Sequence, residues 1–166
     1  MKLTRFLCPM SCGCEEATKI MKKVLLATDG SDGSLHAARV LGELLTGLPE
    51  SQVTVVYVAH IPRSFNLTDE FGNKITPEVP MDIMIRRSAD PILKRTLSAL
   101  GLPEDRVNFE VQVGEPAEEI VDLARLEGYD LVVVGSRGLG PVKEILLGSV
   151  SNRILHTAPC PVLVVR

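Results

Sequence analysis

Apolar residues fall in short blocks along the chain, and the spacing inside each block separates strands from helices. Residues 24–28 (VLLAT) form a continuous apolar run closed by the polar, glycine-rich DGSDGS. Behind it, Leu35, Ala38, Leu41 and Leu45 recur at helical spacing, which predicts one β-turn-α unit. A second strand is predicted at residues 53–59 (VTVVYVA), followed by a polar connection over residues 60–80 that is too long for a tight turn. Ile85, Ala89, Ile92, Leu93 and Leu97 then share one side of a helix ending near Leu100, where Gly101 and Pro103 follow. Pro91 is expected to kink that helix or to open its second half. Residues 107–113 (VNFEVQV) read as a third strand, and GEPAEEIVDLARLEG as a helix with Pro116 in its first turn and Gly128 beyond its last. Residues 130–134 (DLVVV) and 161–165 (PVLVV) supply strands four and five.

Strands alternating with helices predict a parallel sheet covered on both faces, and continuous runs such as LVVV suit strands buried on both sides. The fold class is therefore α/β, an open doubly wound sheet. In such sheets ligands bind beyond the carboxyl ends of the strands, where the strand order reverses. Asp29, His60 and Gly135 all fall at those ends.

Composition narrows the function. The chain has 166 residues, 45% of them hydrophobic, and a net charge of −3, which suits one globular domain and argues against a nucleic-acid partner. No apolar stretch reaches the roughly 20 residues of a membrane span, and the start of the chain lacks a signal-peptide core, so a cytoplasmic protein without membrane contact is expected. Cys8, Cys12 and Cys14 lack the paired Cys-x2-Cys spacing of structural zinc sites, and no further ligand lies nearby in sequence. MKKVLLATDGSD from Met21 reads as a protein start in its own right. Residues 1–20 are accordingly expected to be a disordered, Cys-containing extension or an untranslated segment, with the folded domain at residues 21–166. His36, His60 and His156 have no metal-ligand spacing, and no nucleophile, base and acid set assembles, so no catalytic residue and no metal site of the protein's own are assigned.

The stretch GSRGLGPVKEILLGSVSNRIL, residues 135–155, holds four glycines within fourteen residues. Gly135 and Gly138 bracket a sharp exit from strand four, where a side chain would clash with a bound group or forbid positive φ. Gly148 precedes a helix start read with Ser149 as N-cap and with Val150, Ile154 and Leu155 turned inward. The amides of that helix N-terminus and the hydroxyls of Ser149 and Ser151 favour a phosphate, while a loop that merely turns the chain remains the plain alternative. A P-loop is excluded because G-x4-G-K-[ST] is absent, and GLGPVK lacks the third glycine of a dinucleotide fingerprint.

Gly135, Gly138, Gly148 and Ser149 do fit G-x2-G-x9-G-[ST] position for position. In this the chain resembles the universal stress protein family, specifically its ATP-binding branch. The resemblance extends over residues 21–166 through VLLATDGSDGS, VTVVYVAH, VGEPAEEIV, DLVVVGSRG and TAPCPVLVV. It implies five parallel strands in the order 3-2-1-4-5 and an ATP whose phosphates lie on the 135–148 loop and the following helix. Gly135, Arg137, Gly138, Gly148, Ser149, Val150 and Ser151 would surround ribose and phosphates. Asp29, flanked by Ala27 and Thr28, would stand near the nucleotide, and the backbone around Val58 would meet the adenine, with Val134 beside it. A carboxylate at Asp29 suits ribose hydroxyls or Mg²⁺ carried by the ATP, and Arg137 a charge-assisted contact. His60 would lie close to the adenine, and the loop over residues 61–80 would be long enough to cover it.

Three functions follow. The first is an ATP-binding module that hydrolyses ATP slowly or not at all and signals stress or energy state through a protein partner. The second is an adenine-nucleotide α-hydrolase type of enzyme, whose first loop resembles S-G-G-x-D-S; here TDGSDGS is a partial echo, with Asp29 where the first glycine would stand. The third is a dimeric adaptor that does not bind ATP. The terminal CPVLVVR is an apolar edge strand that invites another copy, and the resemblance implies a homodimer through it.

Overall fold

The computed structural model describes residues 21–60, 80–136, 138 and 147–166. Five strands in this portion form one parallel sheet, β1 (Lys23–Thr28), β2 (Gln52–Ala59), β3 (Val107–Val113), β4 (Leu131–Gly135) and β5 (Val162–Val165), in the order β3-β2-β1-β4-β5. Between them lie α1 (Asp32–Leu45), α2 (Met81–Leu100), α3 (Pro116–Glu127) and α4 (Ser149–Thr157). The order expected from the resemblance is the order found. β1 is central and pairs with β2 on one side and β4 on the other, with Val24 opposite both Val53 and Leu131.

Because successive strand residues face opposite sides, the single run VLLA of β1 serves two cores. Val24 and Leu26 pack with Ala37, Ala38, Leu41 and Leu45 of α1 and Ala89, Leu93 and Leu100 of α2. Leu25 and Ala27 pack on the other face with Ala117, Ile120, Val121 and Ala124 of α3 and Ile154 of α4. Hydrophobic burial on both faces explains why the strands read as unbroken apolar runs.

Local chemistry sets the helix ends. Ser31 caps α1, its hydroxyl accepting the Ser34 N–H at 3.3 Å. Gly101 and Gly128 close α2 and α3 in the left-handed conformation, and Pro116 opens α3. α2 is one continuous helix through the exposed Pro91, which therefore does not open a second helix. At the amino edge of the sheet, Asp130 accepts the N–H groups of Lys22 at 2.9 Å and Lys23 at 2.8 Å, while its own N–H donates to the Lys23 carbonyl. Arg106 holds the connection between α1 and β2, donating to the carbonyls of Leu48 and Ser51. No helix among the described residues is long and apolar enough to cross a membrane.

Two expectations follow from this packing. Ile154 is fully buried and anchors α4 to the sheet. Ile154→Ala should cost about 2–5 kcal/mol, read as a lowered urea midpoint at unchanged slope. Burial pushes the Cys160 thiol up, and the nearby Asp130 adds to this against a smaller opposing effect of the Val132 backbone. Site-resolved alkylation of Cys160 should therefore be slow at neutral pH and accelerate only above the ordinary thiol range near pH 8.5. Rapid labelling at pH 7 would show that β5 opens.

Candidate functional site

The sheet order reverses between β1 and β4, and the carboxyl ends of these two strands form a crevice between α1 on one face and α4 on the other. Alternation along the strands decides which side chains reach it. Ala27 and Val134 are buried on the α3/α4 face and Val58 packs against the same cluster, so these three form the hydrophobic floor. Thr28 turns the other way. Its hydroxyl lies among α1 and α2, 2.9 Å from Thr96 Oγ1 and 3.2 Å from Ser34 Oγ, leaving only its main chain for the crevice.

Asp29 leaves β1 at the rim, where its Oδ1 accepts the Ser31 N–H at 3.0 Å. This is a local turn contact of the kind Asp favours. The carboxylate also faces the opposite wall, for a Cβ added at Gly138 would run into it. A residue at the end of β1 and one beyond the end of β4 thus meet across the crevice.

The glycines earn their places differently from the sequence expectation. Gly135 is the last residue of β4, and a Cβ there would stand 2.7 Å from the Gly33 carbonyl carbon and 3.0 Å from the Ser34 nitrogen. Gly135 is therefore required by the close approach of α1, which is protein backbone. Gly135 does not have positive φ. Gly148, in extended conformation, is the N-cap of α4, so Ser149 is its first helical residue and not the cap.

The phase of α4 also departs from expectation. Ile154 is buried as predicted, but Val150 is 38% and Leu155 46% exposed. In a helix of nine residues packed through one face, the inward line runs through Ser151 and Ile154, and Val150 and Leu155 fall to the sides. Ser149 and Val150 consequently project at the open end of α4, where the first amides have no partner within the helix. Ser151 is only 4% exposed, its hydroxyl within 3.1 Å of the Ser136 carbonyl and 3.0 Å of the Gly148 carbonyl. That hydroxyl closes the loop.

Ser136, which the sequence reading passed over, is where the loop is fastened. Its N–H donates to the Val165 carbonyl at 2.6 Å, and its carbonyl accepts the Gly148 N–H at 2.7 Å. A small polar residue beside a strand-ending glycine is a weak signal, since the contacts that matter are made by backbone. Arg137 and the loop over residues 61–79 lie outside the described residues. His60 stands half-exposed at the end of β2, with Nδ1 3.4 Å from both the Gly114 carbonyl and Glu115 Oε1.

The crevice offers one carboxylate, a helix N-terminus and an apolar floor. That set suits an anionic group attached to a flat apolar one. Among the described residues no cluster of three or more His, Cys, Asp or Glu could hold a metal by itself. A divalent cation here fits only as a companion of a bound phosphate, with Asp29 as the protein carboxylate.

Comparison with known proteins gives the same architecture. The universal stress protein family model matches residues 21–166. Universal stress protein YxiE of Bacillus subtilis is 32% identical over 155 residues, covering 89% of this chain and all of YxiE. Among solved structures, protein MJ0577 of Methanocaldococcus jannaschii superposes with a TM-score of 0.70 at 32% identity, over 88% of this chain and 96% of its own. A universal stress protein solved in complex with cAMP superposes with a TM-score of 0.59 at 25% identity, over 87% of this chain and 96% of its own. With a family match over residues 21–166 and a sheet of the order that family implies, the chain belongs to the universal stress protein family.

Proposed function

We propose that the protein is an ATP-binding regulatory module, with slow or no hydrolysis, whose nucleotide occupancy is read by a protein partner in a stress response. The observation that carries this reading is the convergence, at the switch point, of Asp29 from β1, Gly138 beyond β4 and the open N-terminus of α4. The adenine would rest near Val58 on the floor of Ala27 and Val134. The phosphates would take the first amides of α4 and the exposed Ser149, with Gly148 leaving them room. The neighbour bound to cAMP supports an adenine nucleotide in this fold. For this chain the nucleotide is read as ATP, with Mg²⁺ carried on its phosphates.

The α-hydrolase reading is less well supported by the first loop. Three of its N–H groups are engaged within the protein: Gly30 donates to Thr28 Oγ1, Ser31 to Asp29 and Ser34 to Ser31 Oγ. Those three donors are not available to a leaving pyrophosphate, and the Asp29 carboxylate at the start of the loop opposes its charge.

Calorimetric titration of nucleotide-stripped protein with ATP and Mg²⁺ should give about one site per chain at micromolar affinity, roughly −8 kcal/mol. At about a hundred times the dissociation constant, ATP should stabilise the fold by roughly 2.7 kcal/mol, seen as a raised melting temperature. Gly148→Glu places a carboxylate at the helix N-cap and should abolish both effects in a folded protein. Unchanged affinity in that variant would move the phosphates elsewhere.

A homodimer through β5 is part of the same proposal. β5 is an edge strand whose Val162, Leu163 and Val164 are only partly covered within one chain. Sedimentation at micromolar concentration should give twice the 18.0 kDa chain mass. A mass of one chain at every concentration would refute it.

A further inference from the structure

α2 takes no part in the crevice, yet it is hydrogen-bonded to the loop that carries Asp29. Thr96 of α2 is completely buried, and its hydroxyl donates to the Ile92 carbonyl at 2.9 Å. Its one hydrogen is thereby used, so in the 2.9 Å contact between Thr96 Oγ1 and Thr28 Oγ1 the donor is Thr28. Thr28 Oγ1 in turn accepts the N–H of Gly30 at 3.3 Å. The bonds run in one direction, from the Gly30 amide through Thr28 and Thr96 to the Ile92 carbonyl. Each hydroxyl in the chain donates once and accepts once. Ser34 Oγ, at 3.2 Å, is an alternative acceptor for the Thr28 hydrogen, and it is itself bonded to the Ser31 carbonyl at 2.9 Å.

The chain brackets Asp29, because the residues before and after it are both tied to α2. Packing reinforces the tie. Gly30 has φ +77°, and a Cβ there would lie 3.1 Å from Ile92 Cγ1, so the loop rests directly on the turn of α2 that ends the hydrogen-bond chain. With Gly30 fixed, the Ser31 N–H is presented to Oδ1 of Asp29 and the carboxylate is held facing Gly138.

We propose that Thr96 is a positioning residue for Asp29: a buried hydroxyl on α2, outside the crevice, that sets the orientation of the β1–α1 loop and so the affinity of the site. Its effect on affinity rests on the nucleotide-binding reading above, whereas its effect on the loop does not. A displacement of α2 would reach Asp29 through two hydroxyls.

The test uses the full chain and two readouts. In nucleotide-free protein, amide exchange followed by NMR should quicken at Gly30 and Ser31 in Thr96→Val by about three- to ten-fold, the range one net hydrogen bond spans, with β2 and β3 amides unchanged. Calorimetric titration with ATP and Mg²⁺ should show an affinity loss in Thr96→Val within the same range of about three- to ten-fold. Thr96→Ser, which keeps the hydroxyl, should restore both. In an Asp29→Ala background Thr96→Val should cause no further loss, because it acts through that carboxylate. Thr28→Val removes the acceptor of the Gly30 amide itself and so sets the exchange rate of the released loop, and Thr96→Ala is the second variant if Thr96→Val folds poorly. Wild-type exchange at Gly30 and Ser31 in the folded Thr96→Val or Thr96→Ala protein, or an equal affinity loss with and without Asp29, would overturn the proposal. Absence of ATP binding by the wild-type protein would instead overturn the nucleotide reading, and the exchange rates would still decide the role of Thr96.

Discussion

The backbone of Ser136 is the constraint on which the site depends. β4 ends at Gly135 and α4 begins at Ser149. For α4 to point its N-terminus at the crevice, these two ends must be held together. Ser136 does this with its own peptide groups, its N–H bound to Val165 and its carbonyl taking the Gly148 amide, with the Ser151 hydroxyl closing beside it. Residues 136, 148, 151 and 165 are thereby locked at one corner. The helix that results has its first amides facing outward. That geometry, and not the glycines as such, is what an anion would meet.

The alternation of β1 assigns its last residues to separate tasks. Ala27 continues the apolar face toward α3 and α4, and Thr28 enters the space between α1 and α2, where an unpaired hydroxyl would be costly and is bonded to Thr96 and Gly30. Asp29 is the first residue free of the sheet. Polar residues appear at the point where hydrophobic packing ends, and their hydrogen bonds replace it as the means of holding the chain. At the opposite edge Asp130 has a similar duty, bridging the starts of β1 and β4.

The fold was legible because each strand is a continuous apolar run and each of the first three helices carries its own start or stop residue. Ser31, Gly101, Pro116 and Gly128 all act as their residue types suggest. The site was legible in position but not in contact. Gly135 reads as room for a ligand, yet the nearest atoms belong to α1, because sequence spacing cannot tell which backbone approaches a glycine. α4 has only nine residues, and so few apolar positions leave its phase open; Ile154 alone proved inward, while Val150 and Leu155 did not. Thr96 sits in a line of apolar helix positions and gives no sign that its hydroxyl, three elements away in sequence, is bonded to β1. Ser136 acts through groups that every residue possesses.

The two loops at the switch point differ in what they leave unpaired, and that difference bears on how a nucleotide would lie. The β1–α1 turn opens on the Asp29 carboxylate, and the amides of Gly30, Ser31 and Ser34 are each satisfied by a protein oxygen, while those of Asp32 and Gly33 in the first turn of α1 have no helical acceptor. The Asp29 carboxylate opposes a second negative charge there. At α4, Asn152 is the first amide to find its helical acceptor, the Gly148 carbonyl, so the three before it point along the axis toward the crevice with the positive end of the helix dipole. A phosphate is drawn to the α4 side and a hydroxyl-bearing sugar to the Asp29 side, with the apolar floor of Ala27, Val58 and Val134 left for a base. The orientation follows from the place of the Asp29 carboxylate opposite the open amides of α4.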